Sequence, residues 1–342
     1  MPRAPLAERL TAQALSGEPL RSPEAVAERL LAVQGQDPRG ARLAVRARTS
    51  GVTAADVDRA FTEDRSLLIT WLNRGTLHLV RSEDYPWLHA LTAPTRFAGC
   101  RRRLRQEGLS ERDGERALEV IEGTLGEEGP LSGKDLRARL ESAGVRTEGQ
   151  IFIHLMFLAA AHGILVRGPM IGKQHAYVLV RDWLGEQKPV DREQALAELA
   201  RRYLAGHGPA DDRDLARWAG LPLRDSRAGL EAIAAELEQR EDGLVDLAKR
   251  PPPQPIPPPR LLGAFDPLLL GWTSCEEVVG PHKLLVTING IFKPFALVDG
   301  RAVATWRLRG GKVAIEPLGK VTMKAMGALE ADAADVERFF AS

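Results

Sequence analysis

The sequence predicts a mixed α+β fold in which repeated helical units are followed by a β-rich end. Three observations carry this. Helix-period apolar stripes with capping residues recur along residues 1–248, one order of elements occurs twice in the middle of the chain, and short alternating segments follow a proline-rich stretch. At 342 residues, 44% of them hydrophobic, the chain exceeds what one core fills and carries enough apolar side chains for two or three. Wholesale disorder is excluded at that composition.

The first block, 1–105, opens with a short helix marked by Leu6, Leu10 and Ala14 and stopped near Gly17. A second helix starts where Ser22 is a good N-cap, Pro23 suits the first position and Glu24 the first turn. Its apolar stripe is Val26, Leu30 and Val33. Pro38 should end it at or before Asp37, because a proline disfavours helical geometry in the residue before it. Thr53 is the expected cap of a third helix reaching about Phe61. Residues 70–80 then read as extended chain interrupted by Asn73-Arg74-Gly75. Leu77 and Leu79 lie on one face of it, Thr76 and His78 on the other.

The second block, 106–189, has a helix through Ala117, Val120, Ile121 and Leu125, then Gly-Pro, then a helix capped by Ser132 and carrying Leu136 and Leu140. A third, apolar helix runs from about Gln150 to Ala161, with Gly163 placed to stop it. Ile164-Leu165-Val166, a turn over 167–173 and the segment 175–180 make a hairpin. Three helices followed by a two-stranded hairpin is the order of a winged helix-turn-helix. The third block, 190–249, repeats it: a helix through Leu196, Leu199 and Tyr203, then GPADDRDLARWAG against the earlier GPLSGKDLRARLESAG, a helix through Leu230, Ile233 and Leu237, and a short LVDL strand. With the first block this makes three winged-helix units. Residues 250–260, with seven prolines, read as a stiff polyproline II linker. The region 261–342 reads as a meander of KLLVTI, KPFALV, RAVATWRL and KVAIEPL joined at Asn-Gly, Asp-Gly and Gly-Gly turns, closed by a helix over about 331–340.

Formal net charge is +1, but it is unevenly spread. The four regions 1–105, 106–189, 190–248 and 249–342 carry +6, −3, −5 and +3, and every basic residue of the first is Arg. Basic ends around an acidic middle suit a polyanion held at the ends, and chance unevenness is the plain alternative. Two distant cysteines, Cys100 and Cys275, exclude a disulfide scaffold and a CxxC-type zinc site and fit a reducing cytoplasm. No signal peptide or membrane span is expected, and a cytoplasmic location follows. The dinucleotide fingerprint, Walker loop, GxSxG elbow and HExxH are all missing, and the seven histidines are scattered. Neither a cofactor nor a metal is implied.

The informative stretch is Val33-Gln34-Gly35-Gln36-Asp37-Pro38-Arg39. Gln34 falls four residues after Leu30, on the apolar stripe of the second helix. An amide aimed inward must find partners, since an unpaired one costs about 1–3 kcal/mol. One reading ties the helix end to neighbouring chain. The other points Gln34 and Gln36 into a cleft, where two amides flanking a glycine hold a water or a base. Asp37 either polarises that water or caps a neighbouring turn. Arg74, Thr76 and His78 form a polar edge. Arg96, Arg101, Arg102, Arg103 and Arg105 make either a solvated helix face or a rail for phosphates. Lys173 and His175 flank the second hairpin, where a phosphate or groove contact is expected, and Arg301 follows the Asp299-Gly300 turn.

The stretches SPEAVAERLLAVQGQDPRGARLAVRART, TWLNRGTLHLV, GPADDRDLARWAGL, LLGAFDPLLLG and DGRAVATWRL resemble, in order and over nearly the whole chain, the winged-helix alkylpurine DNA glycosylases of the AlkZ and YcaQ type. That resemblance implies three tandem winged-helix units around a concave, basic DNA channel, with a C-terminal β element. It implies a Gln-x-Gln signature, matched by Gln34 and Gln36, or Gln-x-Asp in the YcaQ branch. The residue between is Gly35, where the family often has a larger or apolar one. The implied activity is hydrolysis of the N-glycosidic bond of an N7-alkylated purine, with bulky adducts and crosslinks among the substrates. Gln34 and Gln36 would be catalytic, and Asp37 and His78 auxiliary. Arg39, Arg74, Thr76, Arg101, Arg102, Arg103, Lys173, His175 and Arg301 would contact double-stranded DNA. No lysine lies near the motif to form a Schiff base, so a monofunctional, monomeric enzyme without an obligate protein partner is expected. The rival reading is a non-catalytic winged-helix protein, either a regulator or a damage-recognition scaffold. A regulator usually dimerises on a palindrome, whereas three unlike units in one chain suit a monomer.

Overall fold

In the computed structural model, residues 5–93, 97–280, 285 and 292–341 are described. The described residues are 50% helical and 19% strand, the mixed class the patterning predicts. Two compact units share it: residues 1–57 with 196–342, and residues 58–195. Among the described residues no helix is long and apolar enough to cross a membrane.

In the first of these units the N-terminal helices are Leu6–Ala12, Pro23–Leu30 and Pro38–Arg46. Ser22 caps the second as expected, its hydroxyl accepting from the Ala25 N–H at 3.2 Å. The long Arg192–His207 helix leads to Asp212–Ala219, where Asp211 and Asp214 form a capping box and Gly220 takes the left-handed conformation that ends the helix. Leu223–Ala232 follows. Leu237, expected on that helix, instead opens the strand Leu237–Gln239, which pairs with Val245–Leu247. Ile233 has left helical geometry, and the chain turns there.

The C-terminal sheet of this unit is antiparallel, in the order Lys312–Pro317, Arg301–Arg309, Phe295–Val298, Arg260–Leu262. Gly310 and Gly311 both take positive φ, as the tight turn between the first two strands requires. Most of KLLVTI and its Asn-Gly turn lie outside the described residues. Arg260–Leu262, at the end of the proline-rich stretch, supplies a strand too short to show alternation. Helix Met323–Ala341 starts eight residues before the expected one, after Thr322, whose hydroxyl accepts from the Ala325 N–H at 3.2 Å. It packs on the sheet through Leu329, Ala333 and Val336 against Leu261, Ala304 and Trp306, and Leu43 joins the same core.

Ion pairs fix helix Pro38–Arg46 to this frame. Arg46 pairs with Asp332 at 2.8 Å and Asp335 at 3.0 Å, and donates to the Leu261 carbonyl at 2.9 Å. Just beyond the helix, Arg48 pairs with Asp266 at 2.9 Å, both side chains fully buried. Part of the arginine excess of the first block is therefore committed to internal carboxylates.

The second unit holds two hairpins in one antiparallel sheet, in the order Thr76–Arg81, Leu67–Leu72, Leu165–Ile171, Gln174–Leu179. The helices Glu111–Glu128, Gly133–Ser142 and Ile151–Ala161 precede the second hairpin as predicted, with Ser132 as cap and Gly163 at φ +70. The expected turn over 167–173 is shorter. A bulge between Arg167 and Met170 absorbs Gly168 and Pro169, and pairing resumes at Met170 and Ile171. Arginine-bearing helix Phe97–Gln106 lies in this unit too.

Candidate catalytic site

The segment carrying the two glutamines differs from its sequence reading. Helix Pro23–Leu30 stops four residues before Gln34, so Gln34 is not on its stripe. The cause is at Leu31, whose φ of 64° and ψ of −49° leave helical geometry, with the Ala32 N–H donating back to the Leu30 carbonyl at 2.8 Å. This is a γ-turn of positive φ, a rare and strained form, on a side chain that is fully buried. Val33–Gln34 is extended. Pro38 starts a helix instead of ending one. It occupies the first helical position, and Asp37 is its N-cap, accepting from the Arg39 N–H at 3.0 Å.

Between these helices the two amides meet. Gln34 Nε2 donates to Gln36 Oε1 at 2.6 Å. Gln34 is 6% exposed, whereas Gln36 is exposed. One amide is thus anchored in the protein and holds the other at its edge, leaving the Gln36 NH2 group to face outward. Gly35 is buried and does not adopt a positive φ, so its backbone conformation is open to larger residues. Asp37 is half-buried with one carboxylate oxygen committed to its cap, and Arg39 is exposed in the first turn.

In the second unit, Thr76 and His78 share a face of strand Thr76–Arg81 as predicted, with Arg74 half-buried in the turn before it. His78 is 2% exposed, and its Nδ1 donates to the Thr76 carbonyl at 2.8 Å. Sequence reasoning missed two neighbours. Thr70 is the cross-strand partner of His78, and Asn73 sits in the turn at φ 42°. The Thr70 and Thr76 hydroxyls and both polar atoms of the Asn73 amide are buried with no hydrogen-bond partner among the described residues. Such groups are uncommon in native proteins and mark a polar spot within this hairpin.

Arg101, Arg102, Arg103 and Arg105 are all exposed along helix Phe97–Gln106, while Leu104 and Cys100 face its buried side. Arg96 lies outside the described residues. Lys173 is exposed at its hairpin tip. His175 is turned inward: Nδ1 donates to the Gly168 carbonyl at 3.2 Å and the ring meets Phe61 edge-on at 4.5 Å. Arg301 is exposed in the first unit, at the start of its strand.

The reactive groups that would support a different chemistry are poorly placed. Burial pushes the Cys100 thiol up to about 12, so it remains protonated and unreactive at neutral pH. Among the described residues, no group of three or more His, Cys, Asp or Glu stands where it could hold a metal ion.

Comparison with known proteins agrees over almost the full length. A family model described as DNA glycosylase AlkZ-like matches residues 27–339. An interstrand DNA cross-link repair glycosylase of Streptomyces sahachiroi is 30% identical over 348 residues, covering 94% of this chain and 92% of that protein. The solved structure of Streptomyces sahachiroi DNA glycosylase AlkZ superimposes with a TM-score of 0.79 at 26% identity, covering 98% of this chain and 95% of the other. The chain belongs to the AlkZ-like DNA glycosylase family.

Proposed function

We propose that this enzyme hydrolyses the N-glycosidic bond of N7-alkylated purines in double-stranded DNA, with Gln34 and Gln36 as its catalytic pair. The observation that carries the reading is the 2.6 Å bond from a buried Gln34 to an exposed Gln36. An N7-alkylguanine is already cationic, so its bond breaks with the electron pair passing to the leaving base and needs no strong general acid. What remains is to stabilise positive charge developing on the sugar and to place a water for attack. Oriented amide dipoles do both without repelling a cationic lesion. Gln36 positions the water, and Gln34 orients Gln36. The free oxygen of Asp37 and the His78 side chain serve as auxiliary acceptors, and the water's proton passes to solvent.

The DNA is held by Arg39, Arg74, Thr76, Arg101, Arg102, Arg103, Lys173, His175 and Arg301. Three winged-helix units, 1–105, 106–189 and 190–249, form the concave channel that the family resemblance implies. The linker 250–260 joins them to the β-rich region 261–342. The repeated order of three helices and a hairpin supports this division. The enzyme works as a cytoplasmic monomer without a cofactor and, since residues 1–105 contain no lysine for a Schiff base, leaves an intact abasic site. The name of the Streptomyces sahachiroi relative, an interstrand DNA cross-link repair glycosylase, supports interstrand crosslinks as further substrates.

The test is release of free base from DNA containing N7-methylguanine, with strand breaks scored before and after alkali. Wild-type protein should release base and give breaks only after alkali. Gln34→Ala and Gln36→Ala should each lose about a hundredfold or more in rate while still binding DNA. Base release undiminished in both variants would refute the assignment, and tight binding to one undamaged sequence without release would favour a regulator.

A further inference from the structure

The backbone that aims the amide pair is held from outside its own segment. The last carbonyls of helix Pro23–Leu30 have no partners within that helix, and they meet helix Arg192–His207. A guanidinium nitrogen of Arg202 donates to the Glu28 carbonyl at 2.8 Å. Gly206 lies so close that a Cβ there would stand 2.2 Å from the Arg29 carbonyl oxygen and 3.4 Å from the Leu30 Cα. The contact is firm from below as well. Gln13 Nε2 donates to the Gly206 carbonyl at 2.9 Å, and Gln13 Oε1 accepts from Arg48 at 3.0 Å, which is locked to Asp266. Immediately beyond this contact comes the strained γ-turn at Leu31, a conformation that persists where its surroundings over-determine it.

We propose that Gly206 and Arg202 are positioning residues for the Gln34–Gln36 pair. By fixing the final turn of helix Pro23–Leu30 they force the turn at Leu31, and that turn sets where the extended Val33–Gln34 places its amide. The far flank is fixed in the same manner. A Cβ on Gly40, in the first turn of helix Pro38–Arg46, would stand 2.3 Å from the Ala264 carbonyl oxygen. The proposal rests on the catalytic reading of the two glutamines, since a role for Gly206 and Arg202 in aiming them has meaning only if they do the chemistry.

The test is the single-turnover rate of N7-methylguanine release at protein concentrations that saturate the DNA, measured beside DNA affinity and thermal midpoint. The variants are Gly206→Ala, Arg202→Ala, Arg202→Lys and Gln34→Ala. Gly229→Ala is the control, because a Cβ there would stand 2.5 Å from the Leu196 carbonyl oxygen, a similarly close contact near the other end of helix Arg192–His207 that does not involve the glutamine segment. Gly206→Ala and Arg202→Ala should slow release about tenfold or more with affinity changed no more than about twofold, as a displacement near 1 Å at the reacting groups would produce. Arg202→Lys should recover part of the rate, and Gly229→Ala should lower the midpoint while leaving the rate intact. Should Gly206→Ala fail to fold, the two Arg202 variants carry the comparison. Unchanged rates in Gly206→Ala and Arg202→Ala, or an equal slowing in Gly229→Ala, would overturn the proposal. If Gln34→Ala keeps its rate, the catalytic reading itself fails. If Gln34→Ala loses the rate and the Gly206 and Arg202 variants do not, the positioning role alone fails.

Discussion

An amide that donates to its neighbour commits one hydrogen and fixes the neighbour's orientation. Gln34 does this for Gln36, so the pair presents a pre-aimed dipole that needs no reorganisation at the moment of reaction. The two residue types and their spacing were readable in the sequence. Their geometry was not, because it depends on Leu31, a residue whose type gives no hint of positive φ, and on Pro38, whose effect on its predecessor is the same whether it ends a helix or begins one. Asp37 shows the same ambiguity. The structure supports its capping role, and Asp37→Asn separates that role from proton acceptance, since Asn caps as well as Asp. We expect the variant to keep its fold by circular dichroism and its base-release rate within about tenfold, whereas loss of a working general base would cost about a hundredfold or more.

Helices and hairpins carry the next layer. The helices of residues 111–161 were legible from their apolar spacing, with Ser132 as cap of the second and Gly163 as stop of the third. The strand Arg260–Leu262 and the pairing of the two hairpins in the second unit were not, since a three-residue strand and a contact between residues a hundred positions apart leave no local period. Helix Phe97–Gln106 shows how an element reads functionally. Its exposed arginines at 101, 102, 103 and 105 have no carboxylate within ion-pair distance among the described residues, unlike Arg46 and Arg48. Replacing Arg101, Arg102 and Arg103 by Gln should therefore weaken DNA binding and flatten its dependence on salt, by about 0.9 in the log–log slope for each phosphate no longer neutralised. Fluorescence anisotropy across a salt series measures this. An unchanged slope would remove the helix from the DNA interface.

On the scale of the whole chain, the mixed class and the basic ends were legible in the composition, but not where the basic charge is used. Arg46 and Arg48 count toward the basic charge of the first block, and the fold pairs them with Asp332, Asp335 and Asp266, more than 200 residues away. The same interlocking joins helix Pro38–Arg46, which follows Gln36, to the C-terminal sheet and to helix Met323–Ala341. A site of one buried and one exposed amide thus draws its rigidity from chain far outside it. The most direct measurement of this account is a double-mutant cycle on single-turnover base release from N7-methylguanine DNA, with Gln34→Ala, Gln36→Ala and both together. If the bonded amides act as one device, the double variant will be no slower than the slower single variant. Losses that multiply, or a double variant that still releases base at the wild-type rate, would contradict it.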